Sequence, residues 1–196
     1  MAGKQAKVLT GRDISRMLAL IRRKRYPVRN RVIFLLSVKA GLRAGEIAAL
    51  EWPMILNNRG QIGTTIELHD RAAKMGGGRR IPLHPLLVNA LQNLRRGVLK
   101  NGGVLEGVVV RSERGGPMRP SSFVNWFSNC YAELELNGCS SHSGRRTFVT
   151  KAARLVHRTG GSLRDVQLLA GHRSISMTQL YIDGDTAAQR RLVNLI

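Results

Sequence analysis

Acidic residues are scarce in this sequence: 12 Asp and Glu stand against 32 Lys and Arg, a net charge of +20 over 196 residues. That excludes an ordinary near-neutral surface and asks for a polyanionic partner. Cysteine is scarcer still. Cys130 and Cys139 are the only two, their spacing matches no zinc pattern, and Cys130 continues the apolar stripe of its helix, so it reads as a buried free thiol. No apolar run reaches the ~20 residues that a bilayer-spanning helix needs. The opening MAGKQAKVLT is too polar and too short for a secretion signal, so no membrane association and a reducing cytoplasm are expected. Neither the five His nor the carboxylates cluster at metal-ligand spacing, and no glycine-rich phosphate loop is present. The chemistry is therefore expected to need no metal and no nucleotide cofactor. No internal repeat or low-complexity linker divides the chain, which reads as one domain over residues 1–196.

What is abundant is basic charge, and it is spread. Arg22 to Arg25, Arg79-Arg80, Arg95-Arg96, Arg145-Arg146 and Arg190-Arg191 form short clusters rather than one tail. Such a pattern favours a folded surface wrapped around nucleic acid over a disordered basic arm. Hydrophobic residues make up 43% of the chain, enough for a real core.

The periodicity is mainly helical. Thr10 with Asp13 forms a capping-box pattern ahead of Ile14, Met17, Leu18 and Ile21. A strongly apolar helix covers roughly VIFLLSVKA and stops at Gly41, after which RAGEIAAL starts a short helix with Arg43 at its head. Short β segments follow around Ile55, in TTIEL, in AAK and in RRIPL, giving an expected antiparallel sheet of about three strands. Helices resume with the stripe Leu87, Leu91, Leu94 and Val98, and with Phe123, Trp126, Phe127 and Cys130. More are expected over Ser141 to Val156, over Ser162 to Gly171 with an Asp165 capping box, and over Thr186 to Ile196. The fold class is α+β, mainly α, with a small three-stranded sheet.

Several polar residues stand where this pattern does not require them: Arg43 with Glu46, Lys74 beside a glycine run, His142 with Arg145, then His172 and Tyr181. Each alone has a plain reading. Arg43 and Glu46 suit a solvated intrahelical pair, His142 a helix-start residue bonding its own backbone, Lys74 an exposed hairpin charge, Tyr181 a packing aromatic. Together they are what phosphodiester transfer requires. Two arginines clamp non-bridging oxygens and hold the charge that builds at phosphorus. Tyr is a competent covalent nucleophile, but a phenol with a pKa near ~10 must lose its proton to a base or be stabilised by cations. A Lys or His beside the departing oxygen supplies the general acid.

GLRAGEIAALEW resembles the first arginine box of the tyrosine recombinases, or phage integrases; HSGRR resembles their His-x-x-Arg box, and AGHRSISMTQLYID their Gly-His to Tyr box. AAKMGGGRRIPLH is similar to the hairpin that carries their lysine, and the likeness runs from about Leu9 to the C-terminus. The resemblance implies the helical catalytic domain of that family and site-specific recombination of double-stranded DNA: integration, excision or inversion. It implies Tyr181 as the nucleophile that forms a 3′-phosphotyrosyl link, and Arg43 and Arg145 as phosphate clamps. It further implies Lys74 as donor to the leaving 5′ oxygen, His142 as the acid/base histidine, His172 as a phosphate hydrogen-bond donor and Glu46 as an orienting residue. It also implies a homotetramer on DNA that exchanges a C-terminal helix, the segment from Thr186 to Ile196 being a candidate.

Gly144 and Arg146 stand where a Leu and a His are frequent in the family, and Ala170 where a Leu is frequent. The N-terminal helical domain common in the family is expected to be absent, as in the compact fimbrial phase-variation invertases, or to belong to a longer integrase. Two alternatives remain at this point. One is a type IB topoisomerase-like enzyme sharing the chemistry. The other is a non-catalytic helix-turn-helix protein reading bases with Ser174, Ser176 and Gln179.

Overall fold

The computed structural model describes residues 5–72, 78–181, 193, 194 and 196. Its elements follow the caps written in the sequence. Helix α1 (Gly11–Arg22) starts at Thr10, whose hydroxyl accepts from the Asp13 N–H while the Asp13 carboxylate accepts in return. Helix α2 (Pro27–Ala40) ends at Gly41, whose φ of 68° closes the helix in a left-handed turn; a Cβ there would lie 2.5 Å from Phe148. The sequence pattern begins this helix near Val32, but Pro27 already occupies its first turn, where a missing N–H is harmless.

Helix α2 is buried from Val32 to Val38 and at Ala40. Helices α1, α4 (Pro85–Lys100) and α6 (Ser143–Leu155) pack around it, which is why its run from Val32 to Leu36 is unbroken by polar residues. The short α3 (Ala44–Ala48) leaves Gly41 and packs on α5 (Pro120–Glu133). Helix α7 (Leu163–Ala170) packs on α6 and on the five-residue α8 (Ile175–Gln179). The main core joins Trp52, Phe34, Phe123, Phe127 and Tyr131; a smaller cluster of Val149, Ala153, Val156, Val166 and Ala170 lies between α6 and α7. Cys130 sits in the main core, where burial pushes its thiol up to about 11.

The sheet corrects an expectation. Among the described residues it has two strands, β1 (Thr65–Leu68) and β2 (Arg79–Pro82), antiparallel with Thr65 opposite Pro82 and Leu68 opposite Arg79. The Ile55 segment leaves a 3-10 turn at Trp52–Met54 and reverses at once through Asn57 and Gly60, so it makes a single bridge, Leu56 to Ile62, and no ladder. The AAK segment begins in a second 3-10 turn, Asp70–Ala72, rather than a strand. Asp70 closes the neck of the hairpin by accepting the Gly78 N–H at 2.8 Å. Residues 73 and 74 lie outside the described residues, as does the expected helix over Thr186 to Ile196 apart from residues 193, 194 and 196. No described helix is long and apolar enough to cross a membrane.

Candidate active site

One helix start and one strand converge on a single carboxylate. Arg43 is the N-cap of α3, and Glu46 three residues on turns back to it: the Arg43 backbone N–H donates to Oε2 at 2.9 Å and Nη1 to Oε1 at 2.9 Å. From β2, Arg79 donates to the same carboxylate in bidentate fashion, Nη1 to Oε1 at 2.9 Å and Nη2 to Oε2 at 3.0 Å. Glu46 and Arg79 have side chains only 1% and 6% exposed. The solvated-pair reading of Arg43 and Glu46 is thereby replaced by a buried triad spanning α3 and the hairpin. Burial alone would raise the Glu46 carboxyl. The hydrogen bond and charge of Arg79, with the backbone N–H and charge of Arg43, outweigh it and hold the group below its ordinary value.

Arg79 is the residue the sequence reading did not assign. Its signal lies in strand alternation: in RRIP, Arg79 shares the inward face with buried Ile81, while Arg80 points outward to Glu67.

Arg145, on the first turn of α6, is 4% exposed and has no carboxylate within hydrogen-bonding distance among the described residues. Its Nη1 donates to the Gly41 carbonyl at 2.7 Å and its Nη2 to the Ala170 carbonyl at 2.6 Å. Those carbonyls terminate α2 and α7, so the cation rests on the negative ends of two helices. Burial and then the neighbouring Arg43 push its guanidinium down to about 10, which still leaves it charged at neutral pH. Helix α6 comes this close to α2 because residue 144 is glycine: a Cβ there would meet Ser37 Oγ at 2.3 Å.

Gly171, with φ of 62°, stops α7 and turns the chain to His172. The His172 ring is 6% exposed, its Nδ1 lies 2.9 Å from Thr178 Oγ1, and its backbone carbonyl accepts from Gln167 at 2.9 Å. Burial, then Arg145, Arg43 and Arg79, push it down to about 4, so the ring is neutral at physiological pH.

Tyr181 follows α8 and stacks on His172, ring centroids 5.3 Å apart at 22°. It is half-buried at the margin of the smaller cluster, so it is not the fully enclosed core aromatic of the plain reading. A cleft of about 320 Å³ brings together Arg43, His142, Arg145, Arg146 and Tyr181. His142 is exposed at the head of α6 and makes no capping bond through its side chain. Five of the six expected residues thus meet, four in the cleft and His172 against the Tyr181 ring. The sixth, Lys74, lies outside the described residues. Among the described residues no group of His, Cys, Asp and Glu could hold a metal ion.

The phage integrase family model matches residues 7–187. The tyrosine recombinase XerC of Mesorhizobium japonicum is 30% identical over 160 residues, covering 81% of this chain and 48% of that protein. The chain thus spans about half the length of the curated relatives it matches. The Tn1549 transposon integrase, solved in complex with a circular intermediate DNA, superposes with a TM-score of 0.74 at 19% identity, over 100% of this chain and 67% of that one. The XerA recombinase gives 0.71 at 19%, over 96% and 64%. At such identities the structures establish a common fold.

Proposed function

The chain belongs to the phage integrase family, and from that premise we propose that residues 7–187 form the catalytic domain of a site-specific DNA recombinase. The observation that carries the reading is the cleft in which Tyr181 faces Arg43 and Arg145 of its own chain. In the reaction, the Tyr181 phenol oxygen attacks the scissile phosphorus and gives up its proton. The P–O5′ bond breaks, and the departing oxygen takes a proton from Lys74. Arg43 and Arg145 carry the charge that builds on the non-bridging oxygens, and fixed donors of this kind are strongest in a partly dry cleft. His172, neutral and held by Thr178, donates through its free nitrogen without adding charge. His142, at the rim, exchanges protons with the phenol. The phosphotyrosine keeps the energy of the broken bond, so the 5′-hydroxyl of a partner strand reseals it by the reverse steps.

Two further elements belong to the proposal. The enzyme works on cytoplasmic double-stranded DNA as a tetramer, with the Thr186 to Ile196 segment exchanged between protomers. Helices α7 and α8 leave Leu168, Ile175, Met177 and Leu180 exposed, which offers such a segment an apolar surface. Attack takes place within one protomer.

The test uses a library of nicked duplexes with randomised flanks, incubated in a chelator. Wild-type protein is expected to yield adducts that survive denaturation and converge on a recoverable sequence, and Tyr181→Phe to bind that sequence without forming them. DNA binding with no adduct at any sequence would refute the reading, and plasmid relaxation without recombinants would turn it toward a topoisomerase. Mixing Tyr181→Phe with Arg145→Ala protein should restore no cleavage; recovery would mean attack across protomers.

A further inference from the structure

The nucleophile is held from the side by a residue that neither the clamp nor the general acid uses. Arg146 adjoins Arg145 on α6, and its guanidinium carbon lies 5.8 Å from the centre of the Tyr181 ring, within the range of a cation over an aromatic face. Its Nη1 donates to the Gln5 side-chain oxygen, and Gln5 and Ala6 line the cleft with Tyr181. Its Nε is buried with no acceptor among the described residues. An orphaned donor is unfavourable and persists where other contacts over-determine the side chain, here Gln5 at one end and the ring at the other.

The segment carrying Gln5 is itself stitched down. The Lys7 N–H donates to the Gly138 carbonyl at 3.0 Å, and the Leu9 N–H to Thr147 Oγ1 at 2.8 Å, one residue beyond Arg146 on α6. Leu9 is 1% exposed, so the segment is anchored in the core at one end and at the cleft at the other. A continuous line of contacts therefore runs from the N-terminal segment through Gln5 and Arg146 to the reactive side chain.

We infer that Arg146 is a positioning residue for Tyr181, and that residues 5–9, acting through Gln5, set whether the nucleophile is docked in the cleft or released from it. The inference rests on Tyr181 being the nucleophile for its consequence in catalysis, but the docking itself is independent of that role. Tyr181 has two neighbours at its ring: the neutral His172 ring stacked on it and the Arg146 cation 5.8 Å from its centre. Removing the cation leaves one stack on a half-buried ring that lies beyond the last turn of a five-residue helix. A pull on the N-terminal segment, from DNA or from any chain joined to it, thus changes the supply of docked nucleophile.

The protein has three tyrosines, Tyr26, Tyr131 and Tyr181, so 3-fluorotyrosine labelling gives a three-line fluorine spectrum in which Tyr181→Phe assigns one line. The expected result is that Arg146→Gln and Gln5→Ala both move the Tyr181 line toward free fluorotyrosine. Tyr131, buried in the core, and Tyr26 should stay in place, and Arg146→Lys should stay closer to wild type than Arg146→Gln. An unmoved Tyr181 line in both variants overturns the inference, as does a shift of all three lines together, which would report general loosening. If Arg146→Gln does not fold, Gln5→Ala alone decides between these outcomes. On the DNA recovered above, Arg146→Gln should cleave about tenfold more slowly at saturating DNA, a factor equal to ~1.4 kcal/mol. Equal cleavage with a shifted line refutes the catalytic consequence. A wild-type protein that never cleaves refutes the nucleophile assignment, and the fluorine result still stands.

Discussion

At the scale of single residues, Glu46 does the most to decide the site. It is one carboxylate among several cations, buried, and it accepts from Arg43 and Arg79 together. Glu46→Gln leaves those cations facing a neutral amide that can no longer accept every bond. The loss in unfolding free energy at neutral pH is expected to be about 3 kcal/mol by urea denaturation. Because the carboxyl is held below its ordinary value, its contribution is complete above the unfolded-state value and is lost as pH falls through the lower folded-state value. The Gln variant should therefore show a flatter acid limb than wild type; parallel limbs would mean that the carboxylate is not the stabilising charge.

Most of these residues were legible from the sequence because reaction chemistry restricts their types. Arg43, Arg145, His142, His172 and Tyr181 stand out as polar groups that no amphipathic pattern needs. Arg79 and Arg146 were not assigned because each sits beside another arginine, and composition cannot say which of two neighbours turns inward. For Arg79, strand alternation resolves it. For Arg146, the deciding contact is with Gln5, 141 residues away in sequence, and no local pattern encodes it.

At the scale of elements, the seam between α2 and α6 fixes the distance from the first arginine box to the second. Ser37 and Gly144 meet there with no room for a further carbon. Gly144→Ala should destabilise the fold by about 1–3 kcal/mol, as overpacking of a close helix contact does. It should also slow strand cleavage, because Arg145 is the next residue. Adding Ser37→Gly removes both the Cβ and the hydroxyl at the contact. The double variant is expected to be less destabilised than the sum of the two single changes, a coupling readable in a double-mutant cycle. Strict additivity would place the strain elsewhere.

Helix limits are readable wherever the residue type itself marks them, at Thr10, Gly41, Pro85, Ser162 and Gly171. The sheet was misjudged at Ile55 because apolar content marks a strand, while pairing depends on where the chain goes next. There, Pro53 and the Asn57 to Gly60 turn send it straight back.

For the whole molecule, the telling fact is where the few carboxylates go. Asp13 and Asp165 cap helices and Asp70 closes the hairpin. Glu46, Glu51, Glu67, Glu113 and Glu133 pair with bases of their own chain. The net +20 already counts every carboxylate, so that excess is available to an external polyanion. Duplex affinity should fall steeply with salt, by about 10³ to 10⁵ between ~50 and ~200 mM for a footprint of ~6–10 phosphates. Fluorescence anisotropy in a KCl series checks this; a shallow slope would mean that most of the charge faces away from DNA.

Arg145 carries a last consequence. Its guanidinium is the only side chain that bonds both the carbonyl ending α2 and the one ending α7 among the described hydrogen bonds. Those two helices feed the loops leading to Arg43 and to His172, so the residue proposed to grip phosphate is also the clasp that sets the spacing of its neighbours. Grip and spacing are therefore inherited together. Softening the proposed hold on phosphate at this position would also let two helix ends drift apart, whereas Arg43 bonds Glu46 of its own turn and neither of those helix ends.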